Sequence, residues 1–124
     1  MARSYVRSVS LVFVLGALAA ACSNQRMTET FSGTMAQRSS NSQTVAVVAD
    51  GQLDASVVSV TPSVTIGLGV GQLAADGTCA FLASNSTAVV GTTVSVTVSA
   101  GTYCVSVYDV GAGAVAFDVS VTHP

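Results

Sequence analysis

The sequence predicts an all-β domain, a small antiparallel β-sandwich of the jelly-roll or immunoglobulin-like type with about seven or eight strands. Three observations support this prediction. Small and β-branched residues dominate a chain that has no tryptophan and only 8% charged residues, a composition that favours strands over helices. Short runs of alternating apolar and polar residues recur along it. Turn-forming pairs such as Asp50-Gly51 separate these runs.

The first regular strands lie on either side of Asp50-Gly51. Residues 44–49 form one strand and residues 52–60 return from the turn, so these two are the clearest predicted hairpin. Pro62 ends the pairing because proline donates no backbone hydrogen bond.

The next strand, residues 63–70, has one apolar face and one nearly bare face. A bare face lets another backbone or a partner approach closely. The simpler interpretation, which we prefer, is a twisted strand with small outward residues. The apolar face carries Val64, Ile66, Leu68 and Val70, and the bare face carries Thr65, Gly67 and Gly69.

The rest of the domain is predicted from the same alternation. In residues 101–109 the core side carries Tyr103, Val105 and Val107, and the other side carries Cys104, Ser106 and Tyr108. Gly111 and Gly113 then turn the chain into a final strand, which gives a C-terminal hairpin. The other predicted elements are a turn at 75–77, a strand at 79–82, a loop at 85–91, a strand at 92–99 with Val94, Val96 and Val98 inward, and a last strand with Val115, Phe117, Val119 and Val121 inward.

Residues 1–21 have the three parts of a signal peptide. Arg3 and Arg7 form a cationic head, residues 9–21 are almost wholly apolar, and three alanines end the segment. A short membrane helix is the alternative, but the apolar run falls short of the roughly 20 residues that span a bilayer. We therefore exclude this segment, an N-terminal signal helix, from the fold.

The end of that segment, LAAAC from Leu18 to Cys22, resembles the lipobox of bacterial lipoproteins. The resemblance implies that Cys22 is lipidated and becomes the mature N-terminus, although leucine stands one place earlier than is usual. Ser23 after the cysteine implies the outer membrane. Ordinary cleavage after Ala19 and Ala21 is the alternative, and it would release a soluble periplasmic or secreted protein.

The mature chain divides into a polar segment and the sandwich. Residues 22–42 are predicted to be a flexible tether, with a possible edge strand at 28–34 around Phe31, and residues 43–124 form the domain. Two arginines then face six acids, a formal charge of −4, and the chain has no lysine. Nucleic acid is therefore excluded as a partner.

Cys79 and Cys104 are predicted to form a disulfide. With Cys22 assigned to lipid, they are an even pair in an exported protein. A metal site or a nucleophilic thiol is the alternative, but His123 is the only histidine. We expect no metal and no cofactor.

Two further sets of residues could form a functional site, a calcium site and a hydrolytic triad, but we do not favour either. Asp76, Asp109 and Asp118 could supply calcium ligands, but single aspartates beside glycines are more often turn caps. Ser120, His123 and Asp118 are formally a hydrolytic triad, yet no oxyanion hole or strained nucleophile turn accompanies them. The chain is therefore predicted not to be an enzyme.

The two tyrosines of residues 101–109 are expected to have different roles. Tyr103 is predicted to lie in the core with its hydroxyl bonded to a backbone group. Tyr108, on the other face, is a candidate surface contact, and packing beside the disulfide is its alternative.

Residues 43–124 resemble the bacterial pre-peptidase C-terminal β-sandwich, as found in uncharacterised exported lipoproteins. The matching segments are GQL at 51–53, SVTIGL at 63–68, GTYCVSVYD at 101–109 and VSVTHP at 119–124. Members with a calcium site carry acids in the middle strand, where this chain has TIGLG at 65–69, so calcium binding is not carried over. The resemblance implies a non-catalytic envelope lipoprotein, a structural, adhesive or accessory binding module whose partner is an envelope protein or polysaccharide. The alternative function is a periplasmic inhibitor or carrier that binds a protein or small ligand through loops such as 85–91.

Overall fold

A computed structural model describes residues 25–111 and 113–124, and the predicted signal peptide and Cys22 lie outside them. Within these residues no helix is long and apolar enough to cross a membrane. They form eight strands: β1 (Met27–Met35), β2 (Ser40–Val47), β3 (Gly51–Thr61), β4 (Ile66–Leu73), β5 (Cys79–Ala88), β6 (Thr93–Val98), β7 (Gly101–Tyr108) and β8 (Val115–His123).

The strands form two antiparallel sheets of four, which confirms the predicted sandwich. Sheet I has the order β1-β8-β3-β6, and sheet II has the order β2-β7-β4-β5. Each strand turns one face toward the other sheet, so alternate residues enter the core.

The core lies between the sheets and contains the residues that the alternation predicted. In β8 the inward residues, from Val115 to Val121, are all buried. Phe31 of β1 meets Phe117 of β8 edge to face, with ring centroids 5.1 Å apart. The apolar side of β4 is buried as well, and it consists of Ile66, Leu68 and Val70.

Six of the seven connections cross from one sheet to the other, and only β4 and β5 form a hairpin. The predicted hairpin at Asp50-Gly51 is therefore wrong, because β2 pairs with β7 whereas β3 pairs with β6 and β8. The predicted C-terminal hairpin is wrong for the same reason, since β7 and β8 belong to different sheets. Turn residues reverse the chain, but burial of both apolar faces decides which sheet the next strand joins.

Several boundaries also differ from the sequence prediction, among them those of the strand predicted at 63–70, since β4 runs from Ile66 to Leu73. Residues 27–35 belong to a sheet rather than a tether, because β1 pairs with β8 from Met27 opposite His123 to Met35 opposite Val115. The predicted loop at 85–91 is mostly strand, since β5 continues to Ala88. Strand β3 does end before Pro62, as predicted.

Candidate functional site

The outer face of sheet II carries a stripe of glycine along β4. Gly67 and Gly69 point away from the core, and aromatic rings cover both. A methyl group at Gly67 would lie 2.0 to 2.3 Å from three consecutive ring carbons of Tyr108. At Gly69 it would lie 2.6 to 2.8 Å from three ring carbons of Phe81. The bare face predicted from the sequence is thus occupied by the chain's own side chains.

These distances also show how the rings are oriented. Three consecutive ring carbons are nearly equidistant from each added methyl position, so each ring turns its face, not its edge, toward the strand. The centroids of Phe81 and Tyr108 are 5.7 Å apart and the ring planes differ by 26°. The opposite ring faces point outward, and Phe81 is 45% exposed. We call Phe81 and Tyr108 together the aromatic platform.

Cys79 and Cys104 form the predicted disulfide, with Cα atoms 5.8 Å apart. The bridge joins β5 to β7 across β4, which lies between them in sheet II. At the crossing, a methyl group on Gly71 would lie 2.0 Å from the carbonyl oxygen of Ala80. The beginning of β5 therefore lies against the outer face of β4, and it brings Phe81 over the glycine stripe.

Beside the platform runs an open groove of 430 Å³, which we call the aromatic groove. Its floor includes a pair of hydroxyls, in which Ser42 Oγ donates to Ser106 Oγ at 3.0 Å. No lining residue carries a carboxylate, a guanidinium or an imidazole. The lining residues are Ser40, Ser42, Gly77, Thr78, Cys79, Phe81, Ser106 and Tyr108.

The tight turn between β4 and β5 forms one rim of the groove, and it confirms the turn predicted at 75–77. Gly77 N donates to Ala74 O at 2.9 Å. Asp76 Oδ1 accepts hydrogen bonds from Thr78 N at 3.1 Å and Thr78 Oγ1 at 2.7 Å. The Thr78 hydroxyl, followed by its backbone N–H, holds the pKa of Asp76 below its usual value. Asp76 is thus a turn cap.

The other two candidate calcium ligands lie elsewhere. Asp109 caps a turn, with Oδ1 accepting from Gly111 N at 2.7 Å. Asp118 lies on the outer face of sheet I, where Ser32 and Ser59 donate hydrogen bonds to its carboxylate. The Ser32 hydroxyl and then the Ser59 hydroxyl lower the pKa of Asp118. The described part of the chain holds no group of three or more metal-binding side chains.

The formal triad does not converge. Asp118 and Ser120 occupy outward positions of β8, whereas His123 occupies an inward one. His123 is 1% exposed, its Nε2 lies 2.5 Å from Glu29 Oε2, and its Nδ1 lies 2.9 Å from Pro124 O. It therefore closes the end of the core, beside β1, and is not available to Ser120.

The two tyrosines of β7 differ as the sequence predicted. Tyr103 is buried, its hydroxyl donates to Ser99 O at 3.0 Å, and that hydroxyl accepts from Ser99 N at 3.1 Å. Tyr108 is half-buried over Gly67 and forms part of the platform. It lines the same groove as Cys79 of the disulfide, and its role as a surface contact stays a prediction.

Sequence reasoning did not single out Phe81 or the four hydroxyl residues of the groove as candidate site residues, although a signal existed for Phe81. These four are Ser40, Ser42, Thr78 and Ser106. The period of two places Phe81 on the same side as Cys79, and Tyr108 on the same side as Cys104. The predicted disulfide would have brought these two sides together.

No protein-family model and no curated protein matches this chain. Several solved structures resemble it in fold, and they include the following two. The pre-peptidase C-terminal domain of collagenase from Bacillus anthracis is 13% identical, with a TM-score of 0.55 over 77% of this chain and 87% of that one. PliG of Aeromonas hydrophila, a periplasmic inhibitor of g-type lysozyme, is 16% identical, with a TM-score of 0.55 over 90% of each chain. At these identities the likeness shows a shared fold, and it supports the predicted pre-peptidase C-terminal-like sandwich.

Proposed function

We propose that this protein is a non-catalytic binding module of the bacterial cell envelope and that the aromatic groove is its binding surface. The aromatic platform is the observation that carries this proposal. Phe81 and Tyr108 cover the glycine stripe with one face each and leave the other face to the groove. Aromatic side chains held in place by packing are the residues that recognition surfaces use most.

The chemistry of the groove supports binding rather than catalysis. No histidine or carboxylate lines the groove, and Asp76, which accepts a hydrogen bond from the Thr78 hydroxyl, is held as a turn cap by the backbone N–H of the same residue. The shared fold adds support, because a pre-peptidase C-terminal domain of a collagenase and a periplasmic lysozyme inhibitor both have it. The alternative function is an inhibitor that binds through a loop at residues 85–91. Because β5 continues to Ala88, only the short connection after that residue is left to act as such a loop.

We further propose that lipid on Cys22 anchors the module, most simply in the outer membrane. Only residues 23–26 separate Cys22 from the start of β1 at Met27. An extended chain of this length reaches about 17 Å, so the sandwich would sit close to the bilayer. The end that carries Met27 and Val48, which are 55% and 75% exposed, would face the membrane. The groove lies on the flank of the sandwich and would stay open to a ligand.

The anchor is tested by intact mass and detergent-phase partitioning of the protein made in a bacterial host. We expect residues 22–124 plus a three-chain lipid, and we expect Cys22→Ala to give the unlipidated chain in the aqueous phase. A wild-type chain without lipid would place the protein in the soluble periplasmic or secreted class.

The binding function is tested by co-sedimentation of the Cys22→Ala chain with purified cell-wall and outer-membrane fractions. This variant removes sedimentation caused by the anchor itself. We expect saturable binding to one fraction and a loss of about tenfold or more in affinity when Phe81→Leu is added. Absence of binding to every fraction, or equal binding by both chains, would contradict the proposal.

A further inference from the structure

We propose that the aromatic groove binds an uncharged saccharide chain, with sugar rings lying on the faces of Phe81 and Tyr108. This inference rests on the proposed function, because it names the ligand class of the same groove. It depends on three properties of the groove: a flat apolar surface, a row of hydroxyls and the lack of charge.

The flat surface is the aromatic platform. Its two rings are nearly parallel and lie 5.7 Å apart, and their inner faces rest on the glycine stripe. One face of a sugar ring presents C–H bonds, whose hydrogens carry partial positive charge. The face of an aromatic ring carries the negative part of its quadrupole. Two such faces in a row match consecutive sugar rings of a chain.

The hydroxyls lie beside the platform. Ser40, Ser42, Thr78 and Ser106 all line the groove. The last three already donate within the chain, to Ser106 Oγ, Asp76 Oδ1 and Asn41 O respectively, so they offer a ligand hydroxyl oxygens that accept hydrogen bonds. Ser40 and Ser42 are exposed on the edge strand β2. Sugar hydroxyls also donate and accept, so the two sets are complementary. A wholly apolar ligand would instead remove the accepting oxygens of these hydroxyls from water without giving them new donors.

The lack of charged side chains in the groove excludes ionic ligands. No lining side chain is charged, and Asp76, next to the groove, already accepts two hydrogen bonds from Thr78. A phosphate or acidic saccharide would find no cation here, and the formal charge of −4 on residues 22–124 would repel it. A cationic ligand would find no carboxylate among the lining residues. The ligand is therefore neutral.

The shape of the groove favours a chain over a single enclosed sugar. At 430 Å³ the groove falls within the usual range of small-ligand sites, about 300 to 1,000 Å³. It is open rather than enclosed, so a polymer can enter and leave along it without a lid.

The test is a printed array of neutral and anionic glycans, followed by an NMR titration with the best neutral tetrasaccharide. The Cys22→Ala chain is the parent, and Phe81→Leu, Phe81→Tyr and Leu82→Ala are introduced into it. Phe81→Leu keeps an apolar cover over Gly69 but removes the flat face, whereas Phe81→Tyr keeps the face. Leu82 is 54% exposed on the same strand and does not line the groove, so Leu82→Ala is the matched control.

We expect neutral glycans to bind and to shift the amide signals of Thr78, Phe81 and Tyr108. Affinity should fall about tenfold or more in Phe81→Leu, should fall less in Phe81→Tyr, which keeps the ring face, and should stay within about twofold in Leu82→Ala. Thermal unfolding of each variant separates loss of the face from loss of the fold. Binding to anionic glycans only, no binding to any glycan, or unchanged binding by a folded Phe81→Leu would overturn the inference.

The co-sedimentation assay separates this failure from failure of the proposed function. If the array is negative but an envelope fraction still binds, and if protease treatment of that fraction abolishes binding, the module binds a protein and only the saccharide inference falls. If neither assay shows binding, both proposals fall.

Discussion

Removal of the disulfide should cost the domain a large part of its stability. Cys79 and Cys104 are separated by 25 positions, and opening a loop of about 26 residues releases roughly 3.5 kcal/mol of chain entropy in the unfolded state. A domain of this size has a net stability of about 5 to 15 kcal/mol. The Cys79→Ala/Cys104→Ala chain should therefore remain folded but melt roughly 15 to 25 °C lower.

Urea unfolding of the exported chain measures this cost. The chain has no tryptophan, so far-ultraviolet circular dichroism and tyrosine emission report the transition. The reduced wild type is the control that changes no side chain, and it should agree with the double variant within about 1 kcal/mol. Both should unfold with a steeper dependence on urea, because the unfolded chain without a cross-link exposes more surface.

A loss of less than about 1 kcal/mol in both samples would refute this reasoning. It would mean that the unfolded chain is already compact around these residues, so the cross-link removes little entropy. Hydrogen exchange at Phe81 gives a separate check. The bridge fixes the beginning of β5, so its loss should speed exchange there more than in β8 of the other sheet.

Three further predictions concern single contacts. Gly71→Ala places a methyl group 2.0 Å from the carbonyl oxygen of Ala80, so urea unfolding should show a loss of about 3 kcal/mol, at the upper end of the usual cost of overpacking. Asp118 has a lowered pKa, so its contribution is complete well above pH 3.8 and is lost as pH falls through the lowered value. Asp118→Asn should flatten the stability curve in that acid range. His123→Ala removes a side chain that is 1% exposed and leaves Glu29 without this partner, at a cost of about 2 to 4 kcal/mol in chemical unfolding.

Each of these predictions has its own control and its own refutation. A methyl group at Gly77 meets no atom within 4 Å, so Gly77→Ala should cost only backbone strain. If Gly71→Ala lowers the free energy of unfolding by no more than Gly77→Ala does, the steric argument is contradicted. An acid-range slope that survives Asp118→Asn would assign it to other carboxylates. If Glu29→Gln, which can still bond to the ring, costs as much as His123→Ala, the charge rather than packing dominates that site.

The sequence predicted the strand faces better than the strand partners. The inward side of β8 and the core position of Tyr103 follow from a period of two, which each strand satisfies by itself. Pairing depends on residues far apart in the chain, such as Gly51 beside Val98 and Val47 beside Gly101. Turn chemistry at Asp50 carries no information about them, so both predicted hairpins were wrong. The edge strand around Phe31 was predicted only as a possible strand, because the alternation of apolar and polar residues there is weak.

The same logic explains why the sequence pointed to one ring of the aromatic platform and not to the other. Tyr108 could be singled out because it is an aromatic residue on the outward side of a strong strand. Phe81 was read as an ordinary strand residue, since its local sequence does not show that β4 beneath it is glycine. The platform exists only where the bare positions of one strand meet the aromatic residues of two others, and that meeting is a property of the sheet order.

The glycine stripe joins the stability of sheet II to the shape of its proposed binding surface. At Gly67 and Gly69 an added methyl group would overlap the rings, so any larger residue must lift Tyr108 or Phe81 away from the strand. A lifted ring would expose its inner face and tilt its outer face. This would change both the packing on the outer face of β4 and the shape of the aromatic groove. Substitutions at the glycines therefore cannot separate folding from binding. Substitutions at Phe81 can, because they change the outer face while the glycine stripe beneath it and the Cys79–Cys104 disulfide are left unchanged.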